Sequence, residues 1–189
     1  MSNEKVIKEI QLVLEQFNEA YIKQDASKID EFMKKFYTIS DESLIIGTAY
    51  KEWMHGPKGA KEIFLSDWKD TGIWSYDYKD AKISVKDAVA WISMTGKLIM
   101  ELPSEAIYQG MQAQINNMLE DQDKNPDDKM WDIISSATFY LNHAKKGDKY
   151  IFPFRFTAVL ISENNNWLFH QMHFSFPYVL TSPPVRVFE

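Results

Sequence analysis

The order of hydrophobic periods along this chain predicts an α+β fold. Apolar residues recur at three- and four-residue steps through roughly the first seventy residues, then alternate from Trp74 to Ile99 and again from Phe154 to Phe176. Between Pro103 and Gly147 the helical period returns and interrupts the strands. Helices followed by a run of strands, with no regular alternation of the two, predict one antiparallel sheet with three helices packed on it rather than a parallel βαβ fold.

Val6, Ile7, Ile10, Val13, Leu14, Phe17 and Tyr21 form the apolar stripe of a first helix of about five turns. Asp25 is placed to cap a second, whose buried stripe is Ile29, Phe32, Met33 and Phe36. Ser43 to Thr48 reads as a short strand. Gly56-Pro57 then opens a third helix, with proline at the first position where its missing N–H is harmless. That helix turns Ala60, Ile63, Phe64 and Trp68 inward, and Asp67 falls on or beside the same stripe, four residues after Ile63. Trp74 to Ser84 and Ala88 to Ile99 are paired strands around a Lys86-Asp87 turn.

The next stretch reads as a helical hairpin inserted in the meander. Ile107, Met111, Ile115, Met118 and Leu119 mark one helix, and Met130, Ile133, Ile134, Ala137 and Leu141 another that starts near Pro126-Asp127 and ends at Gly147. DQDKNPDDK, residues 121–129, is the polar loop between them. The expectation is a single domain over residues 1–189, with the insertion at 101–149 lying against the sheet or over its mouth. Met111, Met118 and Met130 are either core or an adaptable lid for an apolar ligand.

The closing segment, FRFTAVLISENNNWLFHQMHFSF, is two strands joined at Asn164-Asn165-Asn166. Pairing Ile161 with Trp167 sets Arg155 opposite His173 and Thr157 opposite Gln171. One face then carries Arg155, Thr157, Gln171, His173 and Ser175 beside Val159, Ile161, Trp167 and Phe169; the other is apolar except for His170. A polar cluster within an apolar face has the character of a pocket floor.

Bulk properties narrow the function. With 189 residues, 45% of them hydrophobic, the chain is long enough and apolar enough to bury a core. No apolar run is long enough for a membrane span, and the start, MSNEKVIKEI, lacks the apolar core of a signal peptide, so a cytoplasmic protein is expected. A net charge of -6 gives no electrostatic reason to seek nucleic acid or anionic lipid. Cysteine is absent, and no His-x-x-x-His, Glu-x-x-His, glycine-rich phosphate loop or Gly-x-Ser-x-Gly occurs, so neither metal nor cofactor is expected. A small apolar or acidic molecule is the expected ligand.

The stretch 41–56, DESLIIGTAYKEWMHG, followed by a helix, and the later Arg155-x-Thr157 and Trp167-x-Phe169 to His173-Phe174-Ser175 elements resemble the SnoaL-like branch of the nuclear transport factor 2 superfamily. The shared pattern is Ile-Gly-Thr, Glu-Trp and a following Gly, with a closing strand that runs from Trp to His-x-Ser. The resemblance covers residues 1–100 and 150–178, and the helical hairpin departs from it. It implies a cone of curved antiparallel sheet around three helices, a pocket inside the cone, and frequent dimerisation through the sheet; a homodimer through the outer sheet face is expected, with Phe156, Leu168 and Phe174 or their opposite-face counterparts as contacts. The superfamily includes isomerases, cyclases and dehydratases as well as members without a known reaction, so the fold alone does not choose a function.

Each candidate residue has a chemical and a structural reading. Asp67 is a proton-abstracting base raised by aromatic surroundings, or a carboxylate near water at a helix end. His173 is a general acid or base, or a strand histidine held by Thr157 or backbone. Arg155 binds a substrate oxygen through its fork, or pairs with Glu52 or Asp67. Trp53, Phe64, Trp68, Tyr78, Thr157, Gln171 and Ser175 are expected to line the pocket, with Thr157 or Tyr78 steadying an oxyanion. The enzyme reading is cofactor-free proton transfer on an apolar carbonyl compound. Its rival is a non-catalytic ligand-binding or interaction module, and a titratable base buried in one closed cavity favours the first.

Overall fold

A computed structural model describes residues 3–48, 52–70, 72–101, 104–143 and 149–176. The chain divides into two compact units, Met1–Ile99 with Phe152–Phe176, and Met100–Ile151 with Pro177–Glu189. Pro103 and Gly147, the expected bounds of the insertion, lie outside the described residues, as do Ala49 to Lys51 of the family-like motif.

In the first unit, α1 (Asn3–Lys23) buries Ile10, Leu14, Phe17 and Tyr21, the stripe its periodicity sets. Asp25 caps a single 3-10 turn, Ala26–Lys28, by accepting from Ser27 N at 3.1 Å, and α2 (Ile29–Phe36) follows directly. Strand β1 (Leu44–Ile46) pairs with β2 (Trp53–His55), a strand the sequence pattern did not reveal, and α3 (Gly56–Asp70) starts at the expected glycine. The predicted strand from Trp74 to Ser84 is two strands, β3 (Ile73–Tyr76) and β4 (Lys82–Lys86), separated by a 3-10 turn at Tyr78–Asp80. Both pair antiparallel with β5 (Val89–Glu101), β4 along its first half and β3 along Gly96–Ile99.

The remaining strands, β6 (Lys149–Glu163) and β7 (Asn166–Ser175), complete a seven-strand sheet of order β2-β1-β7-β6-β5-β3. The sheet is mostly antiparallel; β1 runs parallel to β7, with Leu44 opposite Gln171 and Ile46 opposite His173. The β6–β7 turn holds Asn164 and Asn165 at φ of 50° and 63°, a left-handed pair that asparagine tolerates well and that matches the twist of the strands.

Aromatic rings join the helices to one face of this sheet. Phe17 lies 4.7 Å from Phe169 and 5.3 Å from Tyr76, and Phe32 lies 4.8 Å from Trp68, measured between ring centroids. Phe154, Phe156 and Phe174 face the same core. Gly96 admits this packing: a Cβ there would run into the Phe154 ring.

The second unit contains α4 (Ser104–Glu120) and α5 (Pro126–His143). Asn125 begins α5 by accepting from Asp128 N at 2.9 Å while its own amide donates to the Asp128 carboxylate at 2.6 Å, and Lys129 donates to the Leu119 carbonyl at 2.9 Å. Met111, Ile115 and Met118 are half-buried, whereas Leu119, Met130 and Ile134 are exposed. The side chains of Ile107 and Leu141 lie outside the described set.

Candidate functional site

Two surface grooves have volumes of about 760 and 670 Å³; the first, along α1 and α2, is lined by Lys23, Lys28, Lys35 and Glu19 above Phe32 and Trp68, and the second lies between the end of α2 and the β6–β7 turn. Chemistry concentrates at a much smaller cavity, about 30 Å³, lined by Tyr21, Gly47, Thr48, Glu52, Ile63, Phe64, Asp67, Trp74 and Phe174. Such a volume holds little more than one water-sized group.

Each lining residue follows from its element. The apolar stripe of α3 carries Asp67 inward with Ile63 and Phe64, one turn before the helix ends. Tyr21, the last buried residue of α1, is fully buried between Phe64, Trp68 and Tyr76, at centroid distances of 5.9, 5.9 and 5.4 Å. Its hydroxyl donates to Asp67 Oδ2 at 2.9 Å. Beyond β1, Gly47 N donates to the Glu52 carbonyl at 2.9 Å, closing the chain back toward β2. The Glu52 carboxylate then lies directly over Gly47, in space that a side chain at position 47 would occupy.

This arrangement sets the electrostatics. Burial pushes the Asp67 carboxyl up to about 7; the Tyr21 hydrogen bond pulls it down, and the negative charge of Glu52 raises it. Tyr21 is pushed well above the ordinary phenol range by burial first and by Asp67 second, and Tyr76, buried beside it, shifts the same way for the same two reasons. Asp67 therefore exchanges its proton near neutral pH while both phenols remain protonated. It is a half-buried carboxyl with a fixed hydrogen-bond donor and aromatic walls.

The expected grouping of Arg155, His173 and Asp67 does not occur. Arg155, Thr157, Gln171 and His173 are exposed on the face of the sheet turned away from the helices. The observed register pairs Arg155 with Ser175 and Thr157 with His173, two residues from the expected one, and His170 is bulged between the Leu160–Phe169 and Val159–Gln171 pairs. The bulge reverses parity along β7, so Trp167 and Phe169, expected beside the polar residues, are buried with the core. The cause is burial: helices with apolar inner stripes need an apolar sheet face against them, and the face of Phe154, Phe156, Met172 and Phe174 provides it. Phe156 and Phe174 are therefore inside, which leaves the opposite-face counterparts as the expected dimer contacts.

Of the expected pocket residues, Phe64 lines the cavity. Trp68 is packed behind it in the core, and Trp53 is 55% exposed on β2. Tyr78 donates to Glu15 Oε1 at 3.0 Å, away from Asp67, and Ser175 follows the parity of Arg155. Thr157, Gln171 and His173 share a shallow outer depression of about 170 Å³ with Trp91 and Ser93. Sequence reasoning missed Tyr21, Trp74 and Phe174. The helical stripe marks Tyr21 as inward-facing and alternation places Phe174 on an apolar strand face, but only packing turns that face inward and brings the three to one cavity.

The family model of the SnoaL-like domain matches residues 10–137. A search of curated proteins finds no match. Among solved structures, a candidate dehydratase of the NTF2-like family from Streptomyces avermitilis superposes with a TM-score of 0.61 at 12% identity, covering 94% of this chain and 100% of the other. An NTF2-like superfamily protein from Salmonella enterica gives 0.60 at 14% identity and 96% coverage of both chains. A ketosteroid isomerase-like protein from Erwinia carotovora gives 0.54 at 12% identity, covering 96% and 100%. Identities this low establish a common fold and leave the chemistry to the site. With more than half of its length matched by that model, and with three helices on a mostly antiparallel sheet, the chain belongs to the SnoaL-like family of the NTF2-like superfamily.

Proposed function

We propose that this protein is a small-molecule pocket protein that carries out cofactor-free proton transfer on an apolar carbonyl compound, with Asp67 as its acid–base group. The observation that carries this reading is the Asp67 carboxyl, raised to about 7 in a cavity walled by Phe64, Trp74 and Phe174 and hydrogen-bonded by Tyr21. A group that titrates near the working pH is the most effective proton carrier. In its ionised form Asp67 accepts a proton from an activated C–H; in its protonated form it returns one. Aromatic walls suit an apolar substrate, and the small volume requires a rim side chain such as Glu52 to move aside on binding.

The test is hydrogen–deuterium exchange into a panel of apolar ketones, followed by NMR with the intact protein and Asp67→Asn. The intact protein should accelerate exchange for at least one ketone, and the variant should lose about a hundredfold or more of that acceleration. Ketones that bind without any acceleration would favour the non-catalytic binding alternative.

We also propose a homodimer through the outer sheet face. The support is Trp91, 47% exposed there, beside half-buried Val159 and Ile161. A monomer mass in sedimentation equilibrium at micromolar concentration would reject it.

A further inference from the structure

Gly47 and Glu52 lie between β1 and β2 in the chain, and both line the Asp67 cavity. The backbone bond from Gly47 N to the Glu52 carbonyl, 2.9 Å, holds the two residues face to face. Gly47 does not need its glycine for a left-handed backbone, since its φ is not among the positive values of the chain. It needs it for space. All three atoms nearest a Cβ built at Gly47 belong to the Glu52 side chain: its carboxylate oxygen, carboxyl carbon and Cγ. Any larger residue would displace that carboxylate from its seat.

Among the described residues, three titratable groups face Asp67 from the elements packed around α3: Tyr21 from α1, Tyr76 from β3 and Glu52 just before β2. Both phenols are neutral hydrogen-bonding groups at working pH, so among the described residues Glu52 is the one that brings a charge. A negative charge beside a carboxyl favours the protonated carboxyl.

We propose that Glu52 is a positioning residue of this site, its carboxylate seated against Gly47 so that it holds the proton on Asp67, and that the glycine of the Ile46-Gly47-Thr48 stretch exists to admit it. The proposal rests on the reading of Asp67 as the acid–base group and adds what regulates it. Glu52 then has a double role: seated, it fills the cavity and favours protonated Asp67; displaced by an entering apolar substrate, it takes its charge away and releases Asp67 toward the ionised, proton-accepting form. Substrate entry and activation of the base become one event.

The experiment is a carboxyl ¹³C NMR titration of Asp67 in the full chain, compared among the unchanged protein, Glu52→Gln and Gly47→Ala. Glu52→Gln removes the charge and keeps the shape. Gly47→Ala keeps the charge but expels it, and the displaced atoms are the far end of a flexible side chain, so the fold should survive; circular dichroism and the melting transition check this. Both variants should lower the Asp67 titration midpoint by about half a unit to one unit, and the double variant should shift it no further than the larger single effect. An unchanged midpoint in Glu52→Gln and Gly47→Ala, with Asp67 still titrating near neutrality in the unchanged protein, overturns the role of Glu52 and leaves the Asp67 reading standing. A midpoint near 4 in the unchanged protein removes both. Additive shifts in the double variant also overturn the proposal, because they would show that Gly47 and Glu52 act separately.

Discussion

Along β6, Phe152, Phe154, Phe156, Ala158 and Leu160 are at most 5% exposed, whereas Pro153, Arg155 and Thr157, interleaved with them, are exposed. The same backbone thus presents a sealed face to the helices and an open face to solvent. The inner face carries almost no polar atom of its own; its carboxylate chemistry arrives from α3 and from the β1–β2 connection, as Asp67 and Glu52. The outer face carries Arg155, Thr157, Gln171 and His173, all four exposed, the last three around a shallow depression. In this fold a row of polar residues on a strand marks the wet face. The proposed site lies where a helix inserts one carboxylate into the dry one.

That contrast predicts a steep asymmetry between substitutions of adjacent residues. Phe156→Ala, which removes a fully buried ring 4.9 Å from Phe174 and 5.3 Å from Tyr76, should cost about 3–5 kcal/mol in urea unfolding. Thr157→Ala, the next residue, should change stability by no more than about 0.5 kcal/mol. Comparable losses at both positions would mean that the outer face is covered as well.

Asp67→Asn tests the charged part of the inner face. Because the folded carboxyl is raised from 3.8 to about 7, the native state binds the Asp67 proton more tightly than the unfolded state does. Stability contributed by that proton is full below about pH 4, declines as pH rises, and is gone above about pH 7. A separation of about three units corresponds to roughly 4 kcal/mol. Asparagine keeps an acceptor for Tyr21 and has no charge to bury, so Asp67→Asn should match the unchanged protein near pH 4 and exceed its stability by up to about 4 kcal/mol at pH 8. Parallel stability–pH curves for the two proteins would show that Asp67 is not raised.

Gly96→Ala should cost about 2 kcal/mol by driving a methyl into the buried Phe154 ring, and a near-neutral result would show that the inner face can yield. The smallest effect is expected for Arg155→Ala with His173→Ala: less than about 0.5 kcal/mol in stability, and no change in ketone exchange. Loss of exchange in that double variant would return the two residues to the site and break the distinction between the faces.

The hydrophobic periods in the sequence determined the helices α1 to α5, the helical interruption of the strands and the inward position of Asp67, because each depends on spacing within one element. The IIGT, EW and HFS motifs likewise sufficed to recognise the family. Periodicity also sorted β6 and β7 into a polar and an apolar face, yet it could not say which face met the helices: an alternating pattern is unchanged when inside and outside are exchanged. The bulge at His170 was equally invisible, since one extra residue changes no local preference while reversing every side chain beyond it. Only tertiary packing, by demanding an apolar surface under α1, α2 and α3, turned Arg155 and His173 outward. The same packing brought Tyr21, Gly47, Glu52, Asp67 and Trp74, which are up to fifty-three positions apart in the chain, around one cavity.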